Sequence, residues 1–349
     1  MIMTLFKNQK AESTIILIVL TLVIGFWSGR IAPAFVFLVF FGAPIYLMRS
    51  MPVYSTRLDR LSRYIFVTVC TLIFVFLITP ILIIMPLSFN AEPYFSFTEG
   101  MLNFDSSAYS LRWYKDIAFN GMQFPQAEIG WWSDMWNNSQ WIRSTRNSFF
   151  IATISALIAT ILGTIAALGL SRPEMPYRAA ITSLLISPMI VPLVITATGM
   201  FFFYSSIHIT GTFTGVILAH VTLGIPFVII TVTATLSGFD RNLIKASQSL
   251  GASGWTTFRR VIMPLIVPGM VSGALFAFIT SLDEVVAVIF IADVEQRTIP
   301  RQMFSGLREQ ISPTILAVAS ILVVISILLL TVLELLRRRS ERLRGISPH

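Results

Sequence analysis

Long apolar runs constrain what this chain can fold into more than any other feature of its sequence. Residues 64–87 and 213–236, for example, contain no acidic or basic side chain other than one histidine. An α-helix needs about 20 apolar residues to cross the hydrocarbon core of a bilayer, and these runs are long enough. They do not alternate strictly between apolar and polar residues, so they predict membrane-spanning helices rather than β-strands. With 55% hydrophobic residues, the 349-residue chain has more apolar surface than a soluble domain can bury.

We predict an all-α polytopic membrane protein with about eight crossings, six in a core and two in an N-terminal hairpin. The hairpin comprises residues 13–27 and 31–48, and the core spans are residues 64–87, 149–170, 179–204, 213–236, 265–292 and 313–336. A secretory signal peptide is the alternative for the first run. Lys7 and Lys10 precede that run, and Ala32-Pro33-Ala34 resembles a cleavage site.

The net charge of +8 is distributed unevenly across these spans. One side receives 17 of the 25 lysine and arginine residues, including Arg57, Arg60 and Arg63 and the run of residues 337–339. Basic residues are enriched in cytoplasmic loops, so we expect this side, with both termini, to be cytoplasmic. The charge therefore orients a membrane protein, and we expect no nucleic-acid partner.

The composition divides the chain into five parts. These are the hairpin with its basic connector (1–62), the first core span (63–88), a tryptophan-rich outer segment (89–146), the remaining core (147–336, with a cytoplasmic loop at 237–264) and a basic tail (337–349). The outer segment and its flanks contain Trp113, Tyr114, Trp131, Trp132, Trp136 and Trp141. This enrichment is typical of an aromatic belt at headgroup level, and a docking surface for a soluble partner is the alternative.

A polar, basic stretch from Arg241 to Pro264 separates two apolar runs. Only 12% of the residues are charged, so such a stretch is expected outside the lipid. We predict a short helix with Leu243 and Ile244 on one side, a turn at Gly251, and a second helical stretch that ends at Pro264, where the next span begins. An ordinary solvated loop is the alternative.

The spacing within this stretch resembles the cytoplasmic loop of permease subunits of type I ABC importers. That family has Glu-Ala-Ala, a glycine after three further residues, and Ile-x-Leu-Pro after nine more. Here the positions are filled by Lys245-Ala246-Ser247, Gly251 and the sequence Val-Ile-Met-Pro at 261–264, so Lys245 replaces the glutamate. The resemblance implies that the loop couples to a partner ATPase. The expected coupling residues are Leu243, Ile244, Lys245, Ala246, Ser247, Leu250, Gly251, Ala252 and Pro264.

Other motifs resemble the spermidine/putrescine branch of that family. They are Asn147-Ser148, Ser187-Pro188 with Pro192, Ser281-Leu282-Asp283-Glu284 and Thr298-Ile299-Pro300. The resemblance covers residues 64–336. It implies half of a translocation pore in a bacterial inner membrane, with a second permease subunit (a different chain rather than a copy), an ATPase dimer that binds ATP and Mg, and an extracytoplasmic solute-binding protein. A polyamine is the expected solute, and an amino-acid derivative, a phosphonate or a metal species is the alternative.

Features of an enzyme are missing from the sequence. No G-x-x-x-x-G-K-[ST] sequence occurs, so we expect ATP hydrolysis on another polypeptide. His208, His220 and His349 are dispersed, and His220 is expected to be a hydrogen-bonded packing residue. A single cysteine excludes a disulfide within the chain. We expect no catalytic residue, metal or cofactor on this chain. The rival functions are an ion-gradient-driven transporter, which predicts an internal repeat that is not evident, and a membrane enzyme.

Two adjacent acids, Asp283 and Glu284, lie within a predicted span. Acids at membrane depth are costly and usually face the bundle interior or water. Neighbouring helix positions point about 100° apart, so only one acid can face a pathway directly. We expect Asp283, together with Thr280 or Ser281, to favour a cationic solute. The alternatives are a structural ion pair or interhelical hydrogen bond, and a position in the outer headgroup zone.

Overall fold

The structure is a computed structural model that describes residues 56–126, 129–172, 174–238, 240, 242–309 and 312–343. The predicted N-terminal hairpin at 13–48 and the end of the basic tail lie outside the described residues. The chain divides into two compact units, Met1–Pro86 and Leu87–His349. The first long helix falls almost entirely in the first unit, and every later helix falls in the second.

The described residues form fourteen α-helices, one 3₁₀ turn and one π-helical turn. The α-helices are α1 (Arg57–Leu87), α2 (Glu99–Leu102), α3 (Arg112–Phe119), α4 (Trp131–Asn138), α5 (Gln140–Leu170), α6 (Arg178–Ile190), α7 (Leu193–Ser206), α8 (Phe213–Ser237), α9 (Asn242–Ser249), α10 (Gly254–Thr257), α11 (Met263–Asp283), α12 (Val286–Ile291), α13 (Ile299–Glu309) and α14 (Thr314–Leu343). No strand occurs in this part of the chain, apart from an isolated bridge between Asn90 and Tyr109.

Five helical segments among the described residues are long and apolar enough to cross a membrane. They are Leu61–Leu87, Gln140–Leu170, Phe213–Ser237, Gly254–Asp283 and Thr314–Val332. Helices α6 and α7 give a sixth if the bent pair is one span. The prediction of an all-α, multi-pass membrane protein is confirmed. The described residues do not establish the predicted total of eight crossings.

Two predicted spans are broken, which corrects the sequence-based boundaries. Residues 179–204, predicted as one helix, form α6 and α7 with a 101° bend between them. Pro192 cannot donate a backbone hydrogen bond, and Val191 before it is extended. Residues 265–292 were also predicted as one helix. Instead α11 ends at Asp283, Glu284 is extended, and the short helix α12 follows.

A second correction concerns the start of α11. The predicted boundary at Pro264 is wrong, because helical structure runs without interruption from Gly254 through the π-turn Phe258–Ile262 into α11. The N–H of Met263 donates to the carbonyl of Phe258, five residues back, which is the π-helical pattern. Pro264 has no N–H to donate, so it fits directly after this turn. The part of the loop from Gly254 onward and the span are therefore one continuous helical element.

Helix α8 lies at the centre of the second unit and packs against α5 and α11. One buried cluster joins these three helices through Ala159, Val228 and Ile266. A second cluster joins α5 and α8 to the helices that follow the two breaks, and it includes Ala197 of α7 and Val288 of α12. Helices α7 and α12 also pack against each other. The two helices that follow the breaks, α7 and α12, thus pack together on α5 and α8.

The ends of this bundle differ in composition. At the end where α5 begins, Trp113 donates its indole N–H to the carbonyl of Asn90 (2.7 Å), and Thr314 donates its hydroxyl to Asp116 (2.6 Å). We call this the tryptophan-rich end. Trp113 is buried and Trp132 is exposed, so the segment has both a packed and a free aromatic surface. The opposite end carries α9 and α10, and we call it the basic-loop end.

Candidate functional site

The helix α9 and its turn form a compact projection at the basic-loop end. The N–H of Gly251 donates to the carbonyl of Gln248 (2.9 Å), and the N–H of Ala252 donates to that of Ser247 (3.0 Å). This pair of bonds is the Schellman motif, which requires a left-handed residue where Gly251 has φ +80°. Glycine adopts that conformation without steric cost. The predicted short helix and glycine turn are both present.

Most of the predicted coupling residues lie on the free surface of this projection. Leu250 is 88% exposed and Leu243 is 45% exposed. The exposed members are Leu243, Lys245, Ala246, Leu250, Gly251 and Pro264, and the half-buried members are Ile244, Ser247 and Ala252. The substituted position, Lys245, thus presents its charge outward. The role of these residues in coupling stays a prediction.

Hydrogen bonds join α9 to the start of the long helical element. The hydroxyl of Ser247 lies 2.9 Å from that of Thr257, which is buried. Ser253 caps α10 by accepting from the N–H of Thr256 (3.3 Å). Since α10 continues through the π-turn into α11, the contact between Ser247 and Thr257 links α9 to a membrane-spanning helix. The replacement of the family's second alanine by Ser247 supplies this contact.

A cavity of about 490 Å³ separates this projection from the ends of α5 and α8. Its walls include Leu168 of α5, Leu236 of α8, Ile244 of α9 and Phe258 of the π-turn. The cavity therefore lies between the helix ends and the residues that connect α9 to α11.

The candidate pathway residues separate into two groups at the far end of α11. Asp283 is exposed and Thr280 is half-exposed, and their spacing of three residues puts them on one helix face. Ser281 and Glu284 are buried. A carboxylate oxygen of Glu284 accepts from the N–H of Ala287 (2.8 Å), so this acid caps α12. Of the two partners considered for Asp283, only Thr280 shares its exposed face.

Ser281 makes a buried contact with α8 instead. Its hydroxyl lies 2.6 Å from Nδ1 of His220, and both side chains are at most 5% exposed. The expectation that His220 is a hydrogen-bonded packing residue agrees with this geometry. Among the described residues, no group of three or more His, Cys, Asp and Glu side chains has the arrangement of a metal site.

At the tryptophan-rich end, two of the sequence motifs contact each other directly. The amide of Asn147 donates to the carbonyls of Glu295 (2.7 Å) and Arg297 (3.1 Å). The hydroxyl of Ser148 accepts from the N–H of Ile299 (2.8 Å). The two motifs are 150 residues apart in sequence, and together they fasten the loop between α12 and α13 to the start of α5.

Beside this contact lies a polar cavity of about 290 Å³ that the sequence analysis did not identify. Arg143 and Arg297 both line it. Both are among the lysine and arginine residues that fall outside the predicted cytoplasmic side. Arg143 lies four residues before Asn147, and Arg297 lies next to Thr298. This proximity to the two motifs is the sequence signal that could have identified both arginines.

Three comparisons with known proteins bear on this geometry. The family model described as "Binding-protein-dependent transport system inner membrane component" matches residues 159–342. The spermidine/putrescine transport system permease protein PotC of Haemophilus influenzae is 30% identical over 269 residues, which cover 77% of this chain and 95% of that protein. The putrescine transport system permease protein PotI of Escherichia coli is 27% identical over 256 residues, covering 71% and 82%.

A chain from a solved structure has a similar fold. It comes from the crystal structure of a bacterial ABC transporter involved in the import of the acidic polysaccharide alginate. The TM-score is 0.57 with 14% sequence identity, and the match covers 81% of this chain and 99% of that chain. At this identity the likeness concerns the helical arrangement alone.

Proposed function

Because this chain belongs to the family of binding-protein-dependent transport system inner membrane components, we propose that it forms half of the translocation pathway of an ABC importer for a polyamine. The resemblance inferred from the sequence is confirmed at the family level. The observation that carries the proposal is the exposed α9 projection, which contacts α10 through Ser247 and Thr257. Helix α10 continues without a break into a membrane-spanning helix. The relatives that carry polyamine transport in their names favour a polyamine over the other small solutes considered.

The proposed mechanism starts at an ATPase dimer in the cytoplasm. ATP and Mg bind to those subunits, and their closure displaces α9. The displacement passes through the Ser247–Thr257 contact and the π-turn into α11, whose other end carries Asp283. Rocking of the spans then opens the pathway alternately to each side. Lys245 is exposed where the family has glutamate, so we propose that the matching groove of the ATPase differs accordingly.

The proposed assembly contains a second permease subunit, different in sequence from this one, and an extracytoplasmic solute-binding protein. The chain is a multi-pass inner-membrane protein, and we propose that both termini and the basic-loop end face the cytoplasm. The solute-binding protein then approaches the tryptophan-rich end. It supplies most of the selectivity, and this chain provides a passage on which the exposed Asp283 and Thr280 favour a cation.

Reconstitution tests the proposal with a pair of matched variants. The complex is purified through tagged chain, and uptake of labelled spermidine or putrescine into liposomes is measured with ATP and the solute-binding protein. We expect Gly251→Asp to uncouple hydrolysis from uptake, because a side chain at φ +80° distorts the turn. Gly254→Asp is the control, since no atom lies within 4 Å of an added Cβ there.

Two outcomes contradict this function. One is purification of the chain without an ATPase, together with solute uptake that needs no ATP, which identifies a gradient-driven carrier. The other is ATP-driven uptake of a different solute with no uptake of either polyamine, which retains the importer and rejects its proposed solute.

A further inference from the structure

We propose that the cavity between α5 and the α12–α13 loop is a receptor for one carboxylate side chain of the solute-binding protein. The proposal rests on the proposed function and identifies the chemistry by which that partner docks. Arg143 and Arg297 provide the positive charge, and Gln140, Asn147 and Gln302 form the polar walls. At about 290 Å³ the cavity has the volume of about ten water molecules. One acidic side chain fits this space, and a helix does not.

Two guanidinium groups and no carboxylate belong to the described residues that line the cavity. Arg297 donates from Nη1 to Gln302 (3.0 Å), but its Nε is buried and has no hydrogen-bond partner among the described residues. Gln302 in turn donates its amide to Oε1 of Gln140 (3.1 Å), so that oxygen is already engaged. Guanidinium groups only donate, and a carboxylate can accept two such bonds at once. A carboxylate is therefore the ligand whose charge and acceptor oxygens complement Arg143 and Arg297 at this wall.

The carboxylate that this chain itself supplies is a weak partner. Glu295 lies 4.0 Å from Arg143, which is beyond hydrogen-bond distance, and its side chain is 78% exposed. Arg143 itself is 34% exposed. An ion pair with this exposure contributes little to stability. An incoming acid that reaches further into the cavity can replace it without a large cost.

A third arginine adds to the positive potential. Arg301 is half-buried and donates from Nη1 to the carbonyls of Ala292 (2.8 Å) and Asp293 (2.9 Å). Burial, and then the charge of Arg297, lower the pKa of Arg301, while the charge of Asp293 raises it. Arg301 therefore belongs to the same positively charged region as Arg297, although it does not line the cavity.

The charge also decides which component of the importer the cavity can serve. A polyamine is a cation, and two arginines repel it. The cavity lies at the tryptophan-rich end, which the proposed orientation puts outside the cell, where the solute-binding protein arrives. A backbone glycine shapes its edge: a Cβ on Gly121 (φ +90°) would approach the carbonyl oxygen of Asn138 to 2.9 Å. This close approach constrains the backbone at one edge of the cavity.

The test measures binding of the purified solute-binding protein to the complete transporter in nanodiscs of zwitterionic lipid. We expect Arg143→Glu to weaken binding about tenfold or more, and Arg143→Gln to weaken it less. Both variants lose the charge pair with the partner's carboxylate, and Arg143→Glu also adds repulsion between two acids. Arg308→Glu is the matched control. Arg308 is an exposed arginine on α13 outside the cavity, so this variant should bind within about twofold of the native protein.

The partner residue is identified by replacing acids of the solute-binding protein with lysine. One such variant should lose binding to the native transporter and regain it with Arg143→Glu.

The outcomes separate this proposal from the function on which it rests. Unchanged binding by both Arg143 variants overturns the receptor, as does an equal loss with Arg308→Glu, which indicates a general charge effect. Before transfer to nanodiscs, the native protein and the Arg143 variants are purified from membranes that contain anionic lipid, and the lipid that stays bound is measured. Unchanged protein binding with less anionic lipid bound to the variants assigns the cavity to a phosphate headgroup and also overturns the receptor. If no solute-binding protein binds the native transporter, the proposed function itself fails.

Discussion

At the scale of single residues, close helix contact in this protein depends on glycine at a few positions. Gly273 of α11 faces α8, where an added Cβ would lie 2.8 Å from the Cα of Val228. Small residues at such crossings allow helices in a bilayer to approach each other closely. Backbone cannot yield as a flexible side chain can, so Gly273→Ala must push the two helices apart.

We expect Gly273→Ala to destabilise the protein by about 1–3 kcal/mol, the usual cost of overpacking a core. Gly199→Ala on α7 is the control, because no atom lies within 4 Å of its added Cβ. There, replacement of a helical glycine should stabilise by about 0.4–1 kcal/mol. Thermal unfolding of the detergent-solubilised protein, followed by the loss of its monodisperse elution peak, measures both. Equal melting temperatures for the two variants would contradict the close α8–α11 contact.

At the scale of secondary-structure elements, the loop between α12 and α13 is held by side chains of α5. The hydroxyl of Ser148 accepts a hydrogen bond from the N–H of Ile299, and we expect Ser148→Ala to remove this bond. The lost bond is worth about 1–2 kcal/mol, so amide exchange in this loop should accelerate about 5- to 30-fold. Hydrogen–deuterium exchange of the peptide covering residues 293–300 measures it. Ser206→Ala, which removes only a bond from Ser206 to the carbonyl of Phe203, should leave that peptide unchanged; acceleration in both variants would argue against the specific contact.

The elements also show which parts of the fold can be read from sequence. Apolar length predicts most of the long helices, because spanning a bilayer leaves few alternatives for the backbone. It does not predict the breaks after Ile190 and Asp283, because apolar runs lie on both sides of each break. Those runs are interrupted by Pro188 and Pro192 at the first break and by Asp283 and Glu284 at the second. Helix α7, which follows the first break, packs against α12, which follows the second. A helix–helix contact of this kind leaves no periodic pattern in the sequence.

The candidate site follows the same division. Gly251 and its turn were predictable from spacing alone, because the Schellman motif is local. The different environments of Asp283, which is exposed, and Glu284, which is buried, were not predictable. They depend on where α11 ends and on the hydrogen bond by which Glu284 caps α12. The cavity lined by Arg143 and Arg297 requires contact between segments about 150 residues apart, so the sequence supplied its members without their arrangement.

At the scale of the whole molecule, the distribution of charge predicts orientation. The native cysteine, Cys70, is exposed and must first be replaced by serine so that labelling reports only on new sites. Ser107 lies at the tryptophan-rich end and Ser249 on α9 at the opposite end, and both are exposed. Most lysine and arginine residues fall on the side of Ser249, and the cost of moving them across the membrane keeps that side in the cytoplasm.

We therefore expect a membrane-impermeant maleimide to label Ser107→Cys in spheroplasts and to label Ser249→Cys only after the membrane is opened. The difference should be nearly complete, because a bilayer-spanning helix cannot expose both of its ends to one side. Labelling of Ser249→Cys in intact spheroplasts, with Ser107→Cys protected, would reverse the orientation. The α9 projection would then lie on the side without ATP, and neither ATPase coupling at Gly251 nor docking of an outer protein at Arg143 could occur as proposed. Each of those sites depends on this single global property, so its measurement should precede the experiments on either.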